Sequence, residues 1–279
     1  MFAKRAITSL IFVPFLIWTI FYAHPLFFFI LINGVIVLGL LEFYSLVKKA
    51  AEVQPSFILG IILSLFISFY AYKFELNDLS LGLVSAKFMA IIIFLIPLLF
   101  LTKFFRKDFK KAVPEIALTF FGILYIGWML FHLVLIKEVP DGNKFLFLVF
   151  VITWMTDIGA YLIGTKWGTH KLTLYLSPNK TIEGSLAGLA FAICSTFIFK
   201  WLFLPSVNLS FALTLALIVS ITGQLGDLCE SLIKRGAKAK DSGTLIPGHG
   251  GVLDVFDSLI FSAPAAFYYL VYFPPEIFP

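Results

Sequence analysis

Five carboxylates sit where carboxylates are expensive. Asp157, Asp227, Glu230, Asp254 and Asp257 fall in or at the ends of strongly apolar runs. An ionised group inside a spanning helix is costly and is a functional candidate by default. On a helix, Asp227, Glu230, Ser231 and Lys234 share one face, at i, i+3, i+4 and i+7, while Asp254, Asp257 and Ser258 share another. Carboxylates from two helices that face each other make an oxygen-rich site. Hard cations such as Mg²⁺ favour such a site and take one or two carboxylates together with substrate phosphates. The plainer account is that some of these acids lie just outside the hydrocarbon, or pair with Lys234 or Arg235. Zinc is not expected, because the chain has only four His and none is spaced as a ligand set. No P-loop or dinucleotide-binding glycine pattern is present.

Between the two acid-bearing segments runs Arg235 to Gly250, RGAKAKDSGTLIPGHG. With Lys234 it supplies Lys234, Arg235, Lys238 and Lys240, then glycines and His249. Glycines let backbone N–H groups approach phosphate oxygens, and Lys supplies point charge to a polyphosphate. A basic, glycine-bearing loop beside carboxylates reads as a nucleotide–metal site, although an ordinary cytoplasmic loop is also basic. A second loop, Thr165 to Gly184, holds SPNKTIEG, in which Lys180 and Thr181 can hold a phosphate. Ser-Pro-Asn is also a plain turn, and Glu183 can cap the following helix.

These groups need elements to position them, and composition says what kind. Of the 279 residues 60% are hydrophobic and 13% charged, and the mean hydropathy is +0.99. A soluble domain is nearer half apolar and a quarter charged. The chain divides instead into spanning helices of about 20 residues. About nine are expected, over 6–23, 26–47, 56–73, 81–102, 113–136, 145–165, 184–204, 208–234 and 251–273. The expected fold is an all-α polytopic membrane protein. The N-terminal helices, 1–136, form the scaffold, with oligomer and lipid contacts, and 137–279 carry the catalytic site. Cys194 and Cys229 both lie in apolar runs, so no disulfide framework is implied.

The net charge is +5. One side carries Lys4, Arg5, Lys48, Lys49, Lys103, Arg106, Lys107, Lys110, Lys111, Lys166, Lys171, Lys234, Arg235, Lys238 and Lys240. The other carries His24, Lys73, Glu75, Asp78, Lys137, Glu138, Asp141, Lys144, Lys200 and Glu276. The positive-inside rule therefore puts the N-terminus in the cytoplasm, the C-terminus outside, and the acids with both loops on the cytoplasmic side. Nucleic-acid binding is not expected, since there is no basic soluble domain to carry it.

The same residues carry a resemblance. Gly226 to Asp257, GDLCESLIKRGAKAKDSGTLIPGHGGVLDVFD, resembles the signature of the CDP-diacylglycerol synthases, or phosphatidate cytidylyltransferases. That signature runs Ser, two residues, Lys-Arg, four residues, Lys-Asp, then His-Gly-Gly and a closing pair of aspartates. It falls here on Ser231, Lys234, Arg235, Lys240, Asp241, Pro247, His249, Gly250, Gly251, Asp254 and Asp257. Upstream, Asp157, Gly159, Ala160, Tyr161 and Gly164 resemble the family's D-x-G-A-Y-x-x-G stretch. Ser177, Pro178, Lys180, Thr181, Glu183 and Gly184 resemble its S-P-x-K-T-x-E-G stretch. The first five spans match only in hydropathy. The family usually has Arg directly after the first closing aspartate, where this chain has Val255. Lys240 is the first candidate to supply the missing charge.

The resemblance implies a membrane-embedded, all-helical enzyme of the inner (plasma) membrane. It would join CTP and phosphatidate into CDP-diacylglycerol and pyrophosphate, with its active site facing the cytoplasm. It implies Mg²⁺ held by Asp227 and Asp254, with room for K⁺ as a second cation, membrane lipid as partner, and a homodimer as an allowed state. In-line attack by a phosphatidate oxygen on the α-phosphorus of CTP needs charge neutralisation and positioning more than a base. Lys234, Arg235 and Lys240 would neutralise phosphate oxygens. Ser177, Lys180 and Thr181 would hold a phosphate, and Asp157, Ser231, Asp241, His249, Gly250, Gly251 and Asp257 would support the site. A CTP-dependent polyprenol kinase would use similar parts on another acceptor, and an archaeal-type lipid cytidylyltransferase would differ only in the tails. A secondary transporter would use the acids as an ion path, but transporters favour repeats and midplane sites; no repeat is visible here.

Overall fold

The computed structural model describes residues 2–75, 86–104 and 109–275. The start of the fourth expected span, with Asp78, Arg106, Lys107 and Glu276 of the charge asymmetry, lies outside the described residues. The helices are α1 (Phe2–Phe21), α2 (Pro25–Ala51), α3 (Phe57–Tyr70), α4 (Ala86–Leu101), α5 (Ala112–Gly122), α6 (Met129–Glu138), α7 (Gly142–Trp167), α8 (Ile182–Phe203), α9 (Leu209–Gly236) and α10 (Leu253–Tyr272). A π-helical segment, Ile123–Trp128, joins α5 to α6 in one span, Ala112–Glu138. Each expected span falls on one of these helices or on that joined span. Among the described residues six helices are long and apolar enough to cross a membrane: Pro25–Ala51, Ala112–Glu138, Gly142–Trp167, Ile182–Phe203, Leu209–Gly236 and Leu253–Tyr272. The chain is thus an all-α polytopic membrane protein.

The helix ends follow local chemistry. Pro25 opens α2 behind His24, whose Nδ1 accepts from Leu26 N, and Lys48 and Lys49 fill its last turn. Asn208 Oδ1 accepts from Ser210 N at the start of α9. Thr181 is the N-cap of α8, its Oγ1 accepting from Gly184 N at 3.1 Å. Glu183, a residue able to cap this helix, does something else: its carboxylate takes Thr169 Oγ1 at 2.7 Å and His170 Nδ1 at 2.6 Å and so fixes the turn after α7.

The chain divides into two compact units. The first comprises 1–10, 24–135 and 233–255. There Tyr44 on α2 is wholly buried and its ring lies against Gly60 of α3 and Gly122 of α5. A Cβ on either glycine would come within 2.5 Å of the ring or its hydroxyl. The hydroxyl donates to Thr119 O at 2.9 Å, just before the helix widens to the π segment. A buried pair, Lys103 Nζ–Glu115 Oε2 at 2.7 Å, ties the end of α4 to α5, and Glu115 Oε1 also accepts from Gln54 N.

The second unit comprises 11–23, 136–232 and 256–279. Its centre is an antiparallel crossing of α7 on α8 through glycine. A Cβ on Gly184 would lie 2.8 Å from Ala160 O and 3.0 Å from Gly164 Cα, and one on Gly188 would lie 2.8 Å from Thr156 O. Backbones approach that closely only where side chains are absent. Thr156 Oγ1 donates to Ser220 Oγ at 2.9 Å, joining α7 to α9. Gly226 of α9 abuts the backbone of Asp257 on α10. The stretch expected as a loop between α7 and α8 is a small antiparallel hairpin, β1 (Lys171–Thr173) and β2 (Ser177–Thr181), with Lys171 opposite Thr181 and Thr173 opposite Ser177. Strands this short give no alternation that a sequence reading can register.

Candidate functional site

The second unit holds a cleft of about 670 Å³ between the end of α7, the hairpin, the start of α8 and the middle of α9. Each wall brings a chemical group. From α7 come Asp157, Tyr161 and Thr165; from β2 come Ser177, Asn179, Lys180 and Thr181. From α8 comes Ser185, and from α9 come Gln224 and Asp227. The hairpin turns Lys180 across to α9, where its Nζ meets Asp227 Oδ2 at 2.6 Å, with the two side chains 26% and 30% exposed. Glycines form the rest of the wall, Gly164, Gly168 and Gly184 leaving backbone where side chains would fill the space.

Expected site residues therefore assemble here from three separated stretches. Asp157, Ser177, Lys180, Thr181 and Asp227 share the cleft. Ser231 lies one turn along α9, its Oγ 3.5 Å from Asp227 Oδ1. The Thr181 hydroxyl is already committed to the cap of α8. Asp257 lies in the first turns of α10, its Oδ1 taking Ser258 N at 2.5 Å. Ser185 and Gln224 were not anticipated. The Ser185 hydroxyl donates to Gln224 Oε1, and Gln224 Nε2 reaches Ser185 O at 3.4 Å, which fixes an amide on the cleft wall. A Gln in an otherwise apolar stretch was the signal for it.

The remaining expected residues belong to the first unit, from the last turn of α9 through the following loop to the first turn of α10. Asp254 is the anchor. Its Oδ1 takes Lys234 Nζ at 2.6 Å, and its Oδ2 accepts from Ser242 N at 2.7 Å, Ser242 Oγ at 2.8 Å and Gly251 N at 2.8 Å. Beside it stands a carboxylate not anticipated as a site residue, Glu42 of α2. Glu42 Oε1 accepts from Val252 N and Oε2 from Leu253 N, each at 2.9 Å, and Oε2 lies 2.9 Å from Ser242 Oγ. An acid two hundred residues upstream thus satisfies the first N–H groups of α10 and holds the loop to it. The signal was a single acid inside the run Leu40-Leu41-Glu42-Phe43.

The His-Gly-Gly stretch has a steric reason. Ile246 N donates to Gly250 O, while Gly248 and Gly250 turn at φ of 85° and 99°. A Cβ on Gly250 would lie 2.5 Å from Asp254 Oδ2, and one on Gly251 2.3 Å from Glu42 Oε2. The glycines make way for carboxylates as well as for any phosphate. Arg235 is exposed and its Nη1 donates to Ala239 O at 3.2 Å. Asp241 and Lys240 are exposed in the same loop, and His249 is half-buried. Beside Val255, Lys234 reaches Asp254 from the last turns of α9, while Lys240 is exposed.

The chain matches the cytidylyltransferase family over residues 3–273. It is 38% identical over 160 residues to a phosphatidate cytidylyltransferase of Bacillus subtilis, covering 57% of this chain and 60% of that protein. It is 46% identical over 142 residues to one of Staphylococcus haemolyticus, covering 50% and 52%. It is 43% identical over 139 residues to one of Staphylococcus aureus, also covering 50% and 52%. The aligned part thus spans about half to three-fifths of each relative's length.

Proposed function

Because the chain belongs to the cytidylyltransferase family, we propose that it transfers the cytidylyl group of CTP to phosphatidate, giving CDP-diacylglycerol and pyrophosphate. The observation that carries the reading is the cleft: a Lys–Asp pair, a second carboxylate at Asp157, and hydroxyl and amide groups, all opening beside backbone glycines. The relatives that share its sequence are phosphatidate cytidylyltransferases.

The donor set fits a hard cation. The cleft offers carboxylate, hydroxyl and amide oxygens, with no sulfur or imidazole among its lining groups. Asp227 is the proposed Mg²⁺ ligand there, with Asp157 in the same cleft as support. Asp254, the other ligand that the resemblance implies, lies in the first unit, where its Oδ1 is turned to Lys234 and its Oδ2 takes Ser242 and Gly251. Bound Mg²⁺ would neutralise phosphate charge and orient the triphosphate. The protein's own part is direct. Lys180 offers an ammonium to a phosphate oxygen, Asp227 holds that ammonium until substrate arrives, and Ser177 and Asn179 give orienting groups on the same wall. The nucleophile is an anion already, so repulsion between substrates is the obstacle that these charges lower. The active site faces the cytoplasm of the plasma membrane on this reading, because the flanking connections carry most of the Lys and Arg.

The test is purified protein in detergent with CTP, phosphatidate and Mg²⁺. CDP-lipid with pyrophosphate is the expected product pair. Lipid phosphate with CDP from a lipid alcohol would overturn the reading in favour of a kinase. Chelation with EDTA should stop turnover, and added Mg²⁺ should restore it.

A further inference from the structure

The hairpin that walls the cleft ends in an unusual turn. Tight hairpins usually turn on Asn, Asp or Gly, which tolerate the backbone and face water. Here the turn is Leu174-Tyr175-Leu176, and Leu174 is 69% and Tyr175 96% exposed. Leaving such side chains in water is unfavourable in proportion to their apolar area. The hairpin joins α7 to α8, two helices long enough to cross a membrane that pack antiparallel. It therefore stands at their common end, where a spanning pair meets the bilayer surface. Just before it, Trp167 is exposed with Lys166 Nζ 4.6 Å from its ring centre, and Ile182 is exposed just after it. Trp, Tyr and Lys are the residues that settle at the headgroup level.

The other side of the same hairpin is polar. Lys171, Ser177, Asn179 and Lys180 line the cleft, with Leu172 among them. One small element thus presents an apolar tip outward and phosphate-binding groups inward.

We propose that the Leu174–Tyr175 tip seats in the lipid headgroup layer and forms the sill over which an anionic lipid enters the cleft, its phosphate passing to Lys180 while its tails stay in the bilayer. The entry role rests on the reading of the protein as a phosphatidate-using enzyme; the seating does not. The occupant is the bilayer, because the tip is continuous with two spanning helices and carries no charge of its own.

The seating is tested by placing one environment-sensitive fluorophore at Tyr175→Cys in a Cys194→Ser, Cys229→Ser background. The labelled protein is reconstituted into phosphatidylglycerol–phosphatidylcholine vesicles. Lipids brominated near the headgroup should quench the label, and an unquenched label would overturn the proposal. The entry role is tested with Leu174→Asn, Tyr175→Asn. KM for long-chain phosphatidate in vesicles should rise roughly tenfold, as expected when two apolar side chains no longer seat. kcat/KM for water-soluble dihexanoyl phosphatidate should stay unchanged. An equal loss on both substrates would overturn the sill. Quenching is read whether or not CDP-lipid forms, so failure of the enzymatic reading is told apart from failure of this one.

Discussion

The cleft of the second unit and the loop before α10 in the first unit use the same residue types to opposite ends. In the cleft, Lys180 and Asp227 are each more than a quarter exposed, and the groups around them face open space. In the loop, Asp254 is 8% exposed and Lys234 13%, and three further donors reach Asp254 Oδ2. One pair stands on the wall of an open cleft. The other is built into the backbone around it. A carboxylate in an apolar chain is therefore not one kind of signal. Its meaning depends on whether its lone pairs are already taken, and the stretch from Gly226 to Asp257 holds one of each, Asp227 and Asp254.

The sharpest way to break this contrast is to remove each aspartate. Asp227→Ala should lower turnover by roughly a hundred- to a thousandfold, as loss of one electrostatic group in a preorganised site does, with little change in thermal midpoint. Activity within a few-fold of the parent would end the assignment of the cleft. Asp254→Ala should show up first in stability. It removes the carboxylate to which Lys234, Ser242 and Gly251 all donate, a loss of about 3–5 kcal/mol on the scale of broken buried pairs, measured by thermal unfolding in detergent. An unchanged midpoint would show that the loop pair is as exchangeable as the cleft pair.

Glu42→Ala should cost less, about 1–3 kcal/mol for backbone donors left without an acceptor. Its mark should be local: faster amide exchange at Val252 and Leu253, with Lys180 and Asp227 unaffected. Smallest of all is the effect at Val255. Since Lys234 already serves Asp254, Val255→Arg and Lys240→Ala should combine additively in kcat/KM, within about 0.5 kcal/mol. A larger coupling would support the compensating role expected of Lys240.

The spanning helices were legible because apolar runs of that length have few other uses, and their ends followed Pro25, Asn208 and Thr181. Lys180 and Asp227 were legible as motif residues, but not as partners. Forty-six intervening residues, most of them in α8 and α9, bring them together, and a lone sequence does not record such pairing. Glu42 shows the limit most clearly. It is an acid in a span, the same signal that drew attention to Asp157, yet its partners lie at Ser242, Val252 and Leu253. The hairpin was hidden for another reason: with strands of three and five residues its evidence is geometric, not periodic.

The glycine crossing of α7 on α8 also bears on the thermodynamics of binding. With Gly184 against Gly164 and Gly188 against Thr156 O, the two backbones meet directly at these points, with little side chain there to repack. The floor beneath Lys180 is stiff before any ligand arrives. Ordering entropy is then lost during folding, not at each encounter, so a ligand of the cleft, the proposed CTP included, would meet a surface that need not freeze in order to hold it. Enlarging Gly184 should therefore weaken affinity through the entropy of association, even where the enthalpy of the phosphate contacts is preserved.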